Sequence, residues 1–267
     1  MVDDLYWHAP TEAGPGWRLT YDEAFAIGDS FKVLAHRDRT PPSSRKAVVK
    51  LDGDAVVGEY VFYRLARWLG LPSAPVQIVE VPSEIPTRWE WERANLETPD
   101  ASMSHIVELL EQMNVEVRSH RRAGALIWWI DSADDGSLWS GWDDSRAVGL
   151  IALAAAGESV ESPEFRRAAA DGTPFLVDNQ YAFREFWLPE SGVSRIAVER
   201  WAERVRAVPK AARDVVRTTW QRLAELETRE CMRIMGIVPI EGLSAGAIHR
   251  GWSVTQQRAR ALVEASR

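Results

Sequence analysis

Apolar residues change their spacing along the chain. In the first fifty positions they come in short runs, as in EAFAIGDSFKVLAHR, where Gly28, Asp29 and Ser30 make a polar break between two apolar stretches. A second break, RDRTPPSSRK, precedes AVVKL. Short runs bounded by Gly, Pro, Asp and Ser predict three strands joined by turns, in an antiparallel arrangement. The spacing then becomes helical: Val61, Leu65 and Leu69 recur every four positions, with Phe62 and Ala66 beside them. This stripe predicts an amphipathic helix with Asp54 as N-cap and Gly70 and Pro72 as its stop. APVQIVEV follows, and its near-continuous apolar character predicts a central strand.

Residues 82–100, PSEIPTRWEWERANLETPD, mix prolines, tryptophans and charges and read as a hinge or linker. Beyond them helical spacing dominates. SMSHIVELLEQMN and DDSRAVGLIALAAAG both predict helices, the second with Asp143 or Asp144 near its N-terminus. RRAGALIWWIDSADDGS fits either a strand or a buried helix. DGTPFLVDNQYAF switches back, with a turn at Asp171-Gly172 and a short apolar strand. PKAARDVVRTTWQRLAELETRECMRIMG predicts one helix ending at Gly236, with Val216, Trp220 and Leu223 on its apolar stripe, and SVTQQRARALVEASR predicts a final helix. The expected class is α+β in two lobes. Residues 1–81 form a β-rich N-terminal lobe with one helix, 82–100 a hinge, and 101–267 a mostly helical C-terminal lobe.

Composition narrows the function classes. A chain of 267 residues with 46% hydrophobic and 27% charged residues is globular and long enough for a sizeable core. No apolar run approaches the roughly 18 residues of a membrane span, and MVDDLYWHAP lacks a signal-peptide pattern, so a cytoplasmic protein without membrane attachment is expected. A net charge of −7 makes nucleic acid an unlikely partner. The single cysteine, Cys231, excludes an intrachain disulfide and reads as a buried small hydrophobe; the five histidines show no zinc-binding spacing. The 13 tryptophans read as core or interface residues, with Trp89/Trp91 and Trp128/Trp129 the pairs best suited to stacking on a ligand. The arginine-rich stretch from Arg200 to Arg222 reads as a solvated helix face.

The chemistry rests on three residues in order. Lys50 ends a predicted strand, Glu59 lies early in the next helix, and Asp178 directly follows the apolar PFLV. Taken singly, each has an ordinary explanation: a solvated lysine, a glutamate favouring the helix dipole, an aspartate in a turn. Together they match a phosphate-binding arrangement, in which a strand lysine meets phosphates, a helix glutamate tethers it, and a later aspartate offers a hard oxygen to magnesium.

At VVKLDGDAVVGEYVFYRLARWLGLPSAPVQIVEV the chain resembles the HipA-like kinases, in particular their short stand-alone bacterial members. GLIALAAAG and DGTPFLVDN are similar to the family's helix before the catalytic loop and its metal-aspartate strand. The resemblance covers residues 20–81 and 145–183. It implies a bilobal kinase-like fold that binds ATP and Mg2+ between the lobes and transfers phosphate to a hydroxyl of a protein or other substrate. By that resemblance Lys50 contacts phosphate, Glu59 is its partner, Asp178 binds metal, and Gly28, Asp29 and Ser30 lie in the phosphate-covering turn. The sequence departs from the family in the catalytic loop. ESVESPEFRRAAADGTPFLV contains neither Asp-Arg-His nor asparagine, which leaves Glu161 as the nearest candidate base. The alternative is a pseudokinase acting as a binding, regulatory or scaffold protein in a multi-protein assembly.

Overall fold

Strand β3 (Lys46–Lys50) lies at the middle of a five-stranded sheet, and its alternation sets what the sheet presents on each face. Ala47 and Val49 pack with Val33, Ala35, Leu126 and Val81, whereas Val48 and Lys50 point the other way. In the computed structural model the described residues are 17–20, 32–37, 46–51, 53–81, 123–132, 142, 144–158, 164–179, 182–188, 192–236 and 243–267. β1 (Trp17–Thr20), β2 (Lys32–Arg37) and β3 run antiparallel in sequence order, as expected from the turns between them. β4 (Val76–Glu80) and β5 (Ala123–Trp128) complete the order β1-β2-β3-β5-β4, with all pairings antiparallel.

Two expectations about this sheet change. APVQIVEV was expected to be central, but β4 stands at the end of the strand order. Its apolar character comes from the helix that covers it rather than from strands on both sides. The ambiguous AGALIW segment is β5, inserted between β3 and β4. The stretch 101–267, expected as the helical lobe, therefore supplies a strand to the N-terminal sheet. Gly124 fits this insertion, since a Cβ there would stand 2.7 Å from Val49 Cγ1.

Helix α1 (Gly53–Leu69) packs on β4 and β5 and buries nearly every residue from Ala55 to Ala66. It begins at Gly53, so Asp54 falls inside its first turn and is not the cap. Gly70 at φ 76° ends it, as expected. The far side of α1 meets the helical part, where the Tyr60 hydroxyl donates to the Met235 carbonyl.

The helical part centres on α2 (Ser145–Ala156), which is buried from Ala147 to Ala156. Asp144 is its N-cap, accepting from the Arg146 amide at 2.9 Å. A two-stranded hairpin follows, β6 (Glu164–Arg167) and β7 (Pro174–Val177), turning at Asp171-Gly172. β6 was not anticipated from the sequence. After a short 3-10 turn (Arg184–Phe186) come α3 (Arg195–Ala207), α4 (Lys210–Glu225), α5 (Thr228–Met235) and α6 (Ala245–Ala265). The single helix expected over 209–236 is broken at Leu226-Glu227, although no Gly or Pro marks the place. The cause is distant in sequence: Trp252 Nε1 and Gln256 Nε2 of α6 donate to the Leu226 carbonyl at 2.9 and 2.7 Å. The two side chains satisfy the carbonyl that the break releases. Cys231 is fully buried on α5, and burial pushes its thiol up to about 12, as suits a packing residue.

Candidate functional site

Lys50 leaves the end of β3 on the face away from the Val33–Val49 cluster and is buried, at 3% exposure. A buried ammonium needs anionic partners. Its Nζ lies 2.6 Å from Glu59 Oε1 and 2.9 Å from Asp178 Oδ1. Glu59 comes from α1, nine positions along the chain, and is equally buried, while Asp178 comes 128 positions later, after β7. Burial acts to lower the Lys50 pKa, but the two carboxylates more than offset it and hold the ammonium above the ordinary lysine range.

Asp178 reaches Lys50 because its backbone takes the left-handed conformation, φ 57°. An Asp tolerates this region better than most residues, and a non-glycine held there marks a position fixed by its surroundings. The side chain stays 62% exposed, facing open space. Burial would raise its pKa, but Lys50 first, then Lys32 and Arg166, hold the carboxyl below the usual aspartate range.

These groups line a cleft of about 360 Å³ between the sheet and the β6–β7 hairpin. Val48 and Ile127 form one apolar wall, and Phe175 and Leu176 another. Trp129 stands at the rim, donating to Asp131 Oδ1 at 3.1 Å; Trp128 borders the cleft too, but its indole packs with the Val33–Val49 cluster on the other face of the sheet and donates to Gln77 Oε1 at 3.1 Å. The Ser73-Ala74 segment, just after the Leu-Gly-Leu-Pro stretch, closes a further side.

The structure thus brings Lys50, Glu59 and Asp178 to one point. Glu161, Gly28, Asp29 and Ser30 lie outside the described residues. Three cleft residues were missed from sequence. Asn179, next to Asp178, donates its amide to the second Glu59 oxygen at 3.4 Å and completes the carboxylate's partners. Lys32 is the direct cross-strand neighbour of Lys50, and Arg166 enters from the unanticipated β6. The doublet Arg166-Arg167 ahead of the Asp171-Gly172 turn was the available signal for the last.

Among the described residues no group of three or more His, Cys, Asp or Glu side chains could hold a metal ion. The carboxylates lining the cleft are Glu59, enclosed by Lys50 and Asn179, and Asp178, which faces cations. Chemically, the site is suited to receive an anion beside an apolar, aromatic-rimmed slot. No family model, curated protein or solved structure matches the chain.

Proposed function

We propose that the protein is a HipA-like, kinase-fold nucleotide-binding protein, with the sheet and α1 as one lobe, the helical part as the other, and ATP in the cleft between them. The observation that carries this reading is the three-way contact of Lys50 with Glu59 and Asp178 in the floor of an open cleft. A strand lysine tethered by a glutamate of the following helix and facing an aspartate after a later strand is the arrangement kinases use to hold phosphates. The apolar walls and Trp129 at the rim suit a base and sugar. The phosphate acceptor in this reading is a hydroxyl of a protein or other substrate.

Nucleotide binding is supported further than phosphoryl transfer. The loop between α2 and β7 lacks Asp-Arg-His, and both described cleft carboxylates contact Lys50. A pseudokinase that binds nucleotide without efficient turnover is therefore the second reading.

Calorimetric titration with ATP tests the first statement. ATP is expected to bind the wild-type chain and to raise its melting temperature with concentration, as mass action requires. A folded Lys50→Met variant is expected to lose most of that affinity. No binding at millimolar ATP would sink the proposal. Incubation with γ-labelled ATP then separates kinase from pseudokinase, and a Glu161→Gln variant that still transfers label at the wild-type rate would remove Glu161 as the base.

A further inference from the structure

Trp201, Trp220 and Trp252 are buried, whereas Trp129 is 43% exposed at the rim of the cleft. An exposed indole forgoes the burial of one of the largest apolar side chains. Its surroundings nonetheless hold it in place. The indole Nε1 donates to Asp131 Oδ1 at 3.1 Å, and the Trp129 amide donates to the Lys46 carbonyl at 3.0 Å. The Asp131 carbonyl accepts from the Ala169 amide, between β6 and β7, at 2.7 Å. The sheet and the hairpin thus both fix the segment that carries the ring. A ring already ordered costs little entropy when a planar ligand settles on it.

The register places this ring relative to Lys50. β3 and β5 pair antiparallel, with Ala47 opposite Trp128 and Val48 opposite Ile127. The amide bond to Lys46 carries the pairing one position further, so Trp129 stands beside Lys46. Side chains alternate along a strand, which puts residues 46, 48 and 50 on one face. From Trp129 to Lys50 is therefore four positions along β3, a span of about 13 Å at the usual rise of a strand. Val48 and Ile127, opposed to each other, line the interval from the sheet side. Aromatic ring, apolar floor and buried ammonium follow one another along the cleft in that order.

Resting on the nucleotide reading above, we propose that the cleft takes purine nucleoside di- and triphosphates, with the base stacked on Trp129 and the outer phosphates at Lys50. The order of the groups matches the order of the ligand's parts. A base stacks on an aromatic face, and the gain grows with the overlapping ring area, so a purine is held better than a pyrimidine. The ribose lies over Val48 and Ile127. In a monophosphate only the ribose separates base from phosphate, which leaves the anion short of Lys50. Each added phosphoanhydride link extends the reach. Trp129 then selects the base, and Lys50 the length of the phosphate chain.

The test is calorimetric titration of the full chain with ATP, CTP and AMP in magnesium chloride. ATP is expected to bind at least about fivefold more tightly than CTP and at least about a hundredfold more tightly than AMP. A folded Trp129→Ala chain is expected to lose about tenfold or more in ATP affinity and to bind ATP and CTP within about twofold of each other, while Trp129→Phe keeps most of the preference. A merely structural role would weaken both nucleotides alike and leave their ratio standing, and that result overturns the inference. So does a wild-type chain that binds CTP or AMP as tightly as ATP, a comparison that decides the matter even if Trp129→Ala does not fold. In each of these cases ATP still binds and the nucleotide reading stands. No binding of any of the three overturns both.

Discussion

Two clusters in this molecule are built from the same parts, one cation and two carboxylates, and put to different ends. In the cleft, Lys50 meets buried Glu59 and exposed Asp178. In the helical part, Arg258 of α6 meets Glu185 at 2.7 Å, both side chains 1% exposed, and Glu158 at 2.8 Å. Arg258 also donates to the Ala156 carbonyl at the end of α2, and Thr255 donates to Glu185. This second cluster does not line the cleft. It joins α2, the 3-10 turn and α6 through the branched head that arginine provides. The cleft cluster uses a lysine, a compact charge on a flexible stem, and leaves one acid facing open space. A buried ion pair is a poor source of net stability in either place. Built around a fully buried arginine–glutamate pair, it fixes which helices meet; built around a lysine with one exposed acid, it leaves charge at the surface of a cleft.

The largest effect expected from this contrast is at Arg258. Arg258→Met leaves Glu185 buried without its cation and should cost about 3–5 kcal/mol in urea unfolding, with ATP affinity unchanged in the protein that remains folded. A loss under about 1 kcal/mol would show the helical cluster to be dispensable, against the contrast drawn here. Lys50→Met should cost less, about 1–3 kcal/mol, because the orphaned Glu59 keeps Asn179 and borders the cleft. Adding Glu59→Leu should restore much of the stability and none of the binding, a split between two readouts that the enclosed cluster cannot produce. Gly251→Ala tests the packing beneath Arg258: a Cβ there would stand 2.7 Å from Phe186 Cγ and 2.8 Å from its Cα. Overpacking of that kind should cost about 1–3 kcal/mol in the same unfolding assay, with ATP titrations unaffected.

Asp178→Asn is the smallest. At neutral pH it should change stability by less than about 1 kcal/mol, because the side chain is mostly exposed. Its signature is in the pH dependence. Folding holds the Asp178 carboxyl below its unfolded value, so its contribution is full above about pH 4 and is lost as pH falls through the folded value. Wild type and variant should therefore differ at pH 7 and converge in acid. Curves that stay parallel into acid would place Asp178 away from Lys50.

Much of the open cluster was legible in the sequence because chemistry dictates residue type. A lysine ending an apolar strand, a glutamate nine residues on and an aspartate after PFLV make a recognisable set even at a separation of 128 residues. What stayed hidden depends on long-range packing. β5 is a short apolar segment and β6, EFRR, a mostly charged one, and both take their strand form from partners elsewhere in the chain. Arg166 therefore had no visible address. Nor did Lys32, whose place beside Lys50 depends on register. Arg258 and Glu185, 73 residues apart, are unremarkable polar positions of helical segments until α6 lies against the 3-10 turn.

The bend between α4 and α5 has a bearing on synthesis. The carbonyl of Leu226 is fixed by an indole that lies 26 residues further along. Until α6 packs, that carbonyl lacks the two side-chain donors that satisfy it in the folded protein. Synthesis must therefore pass Trp252 and Gln256 before the corner can have its full set of hydrogen bonds.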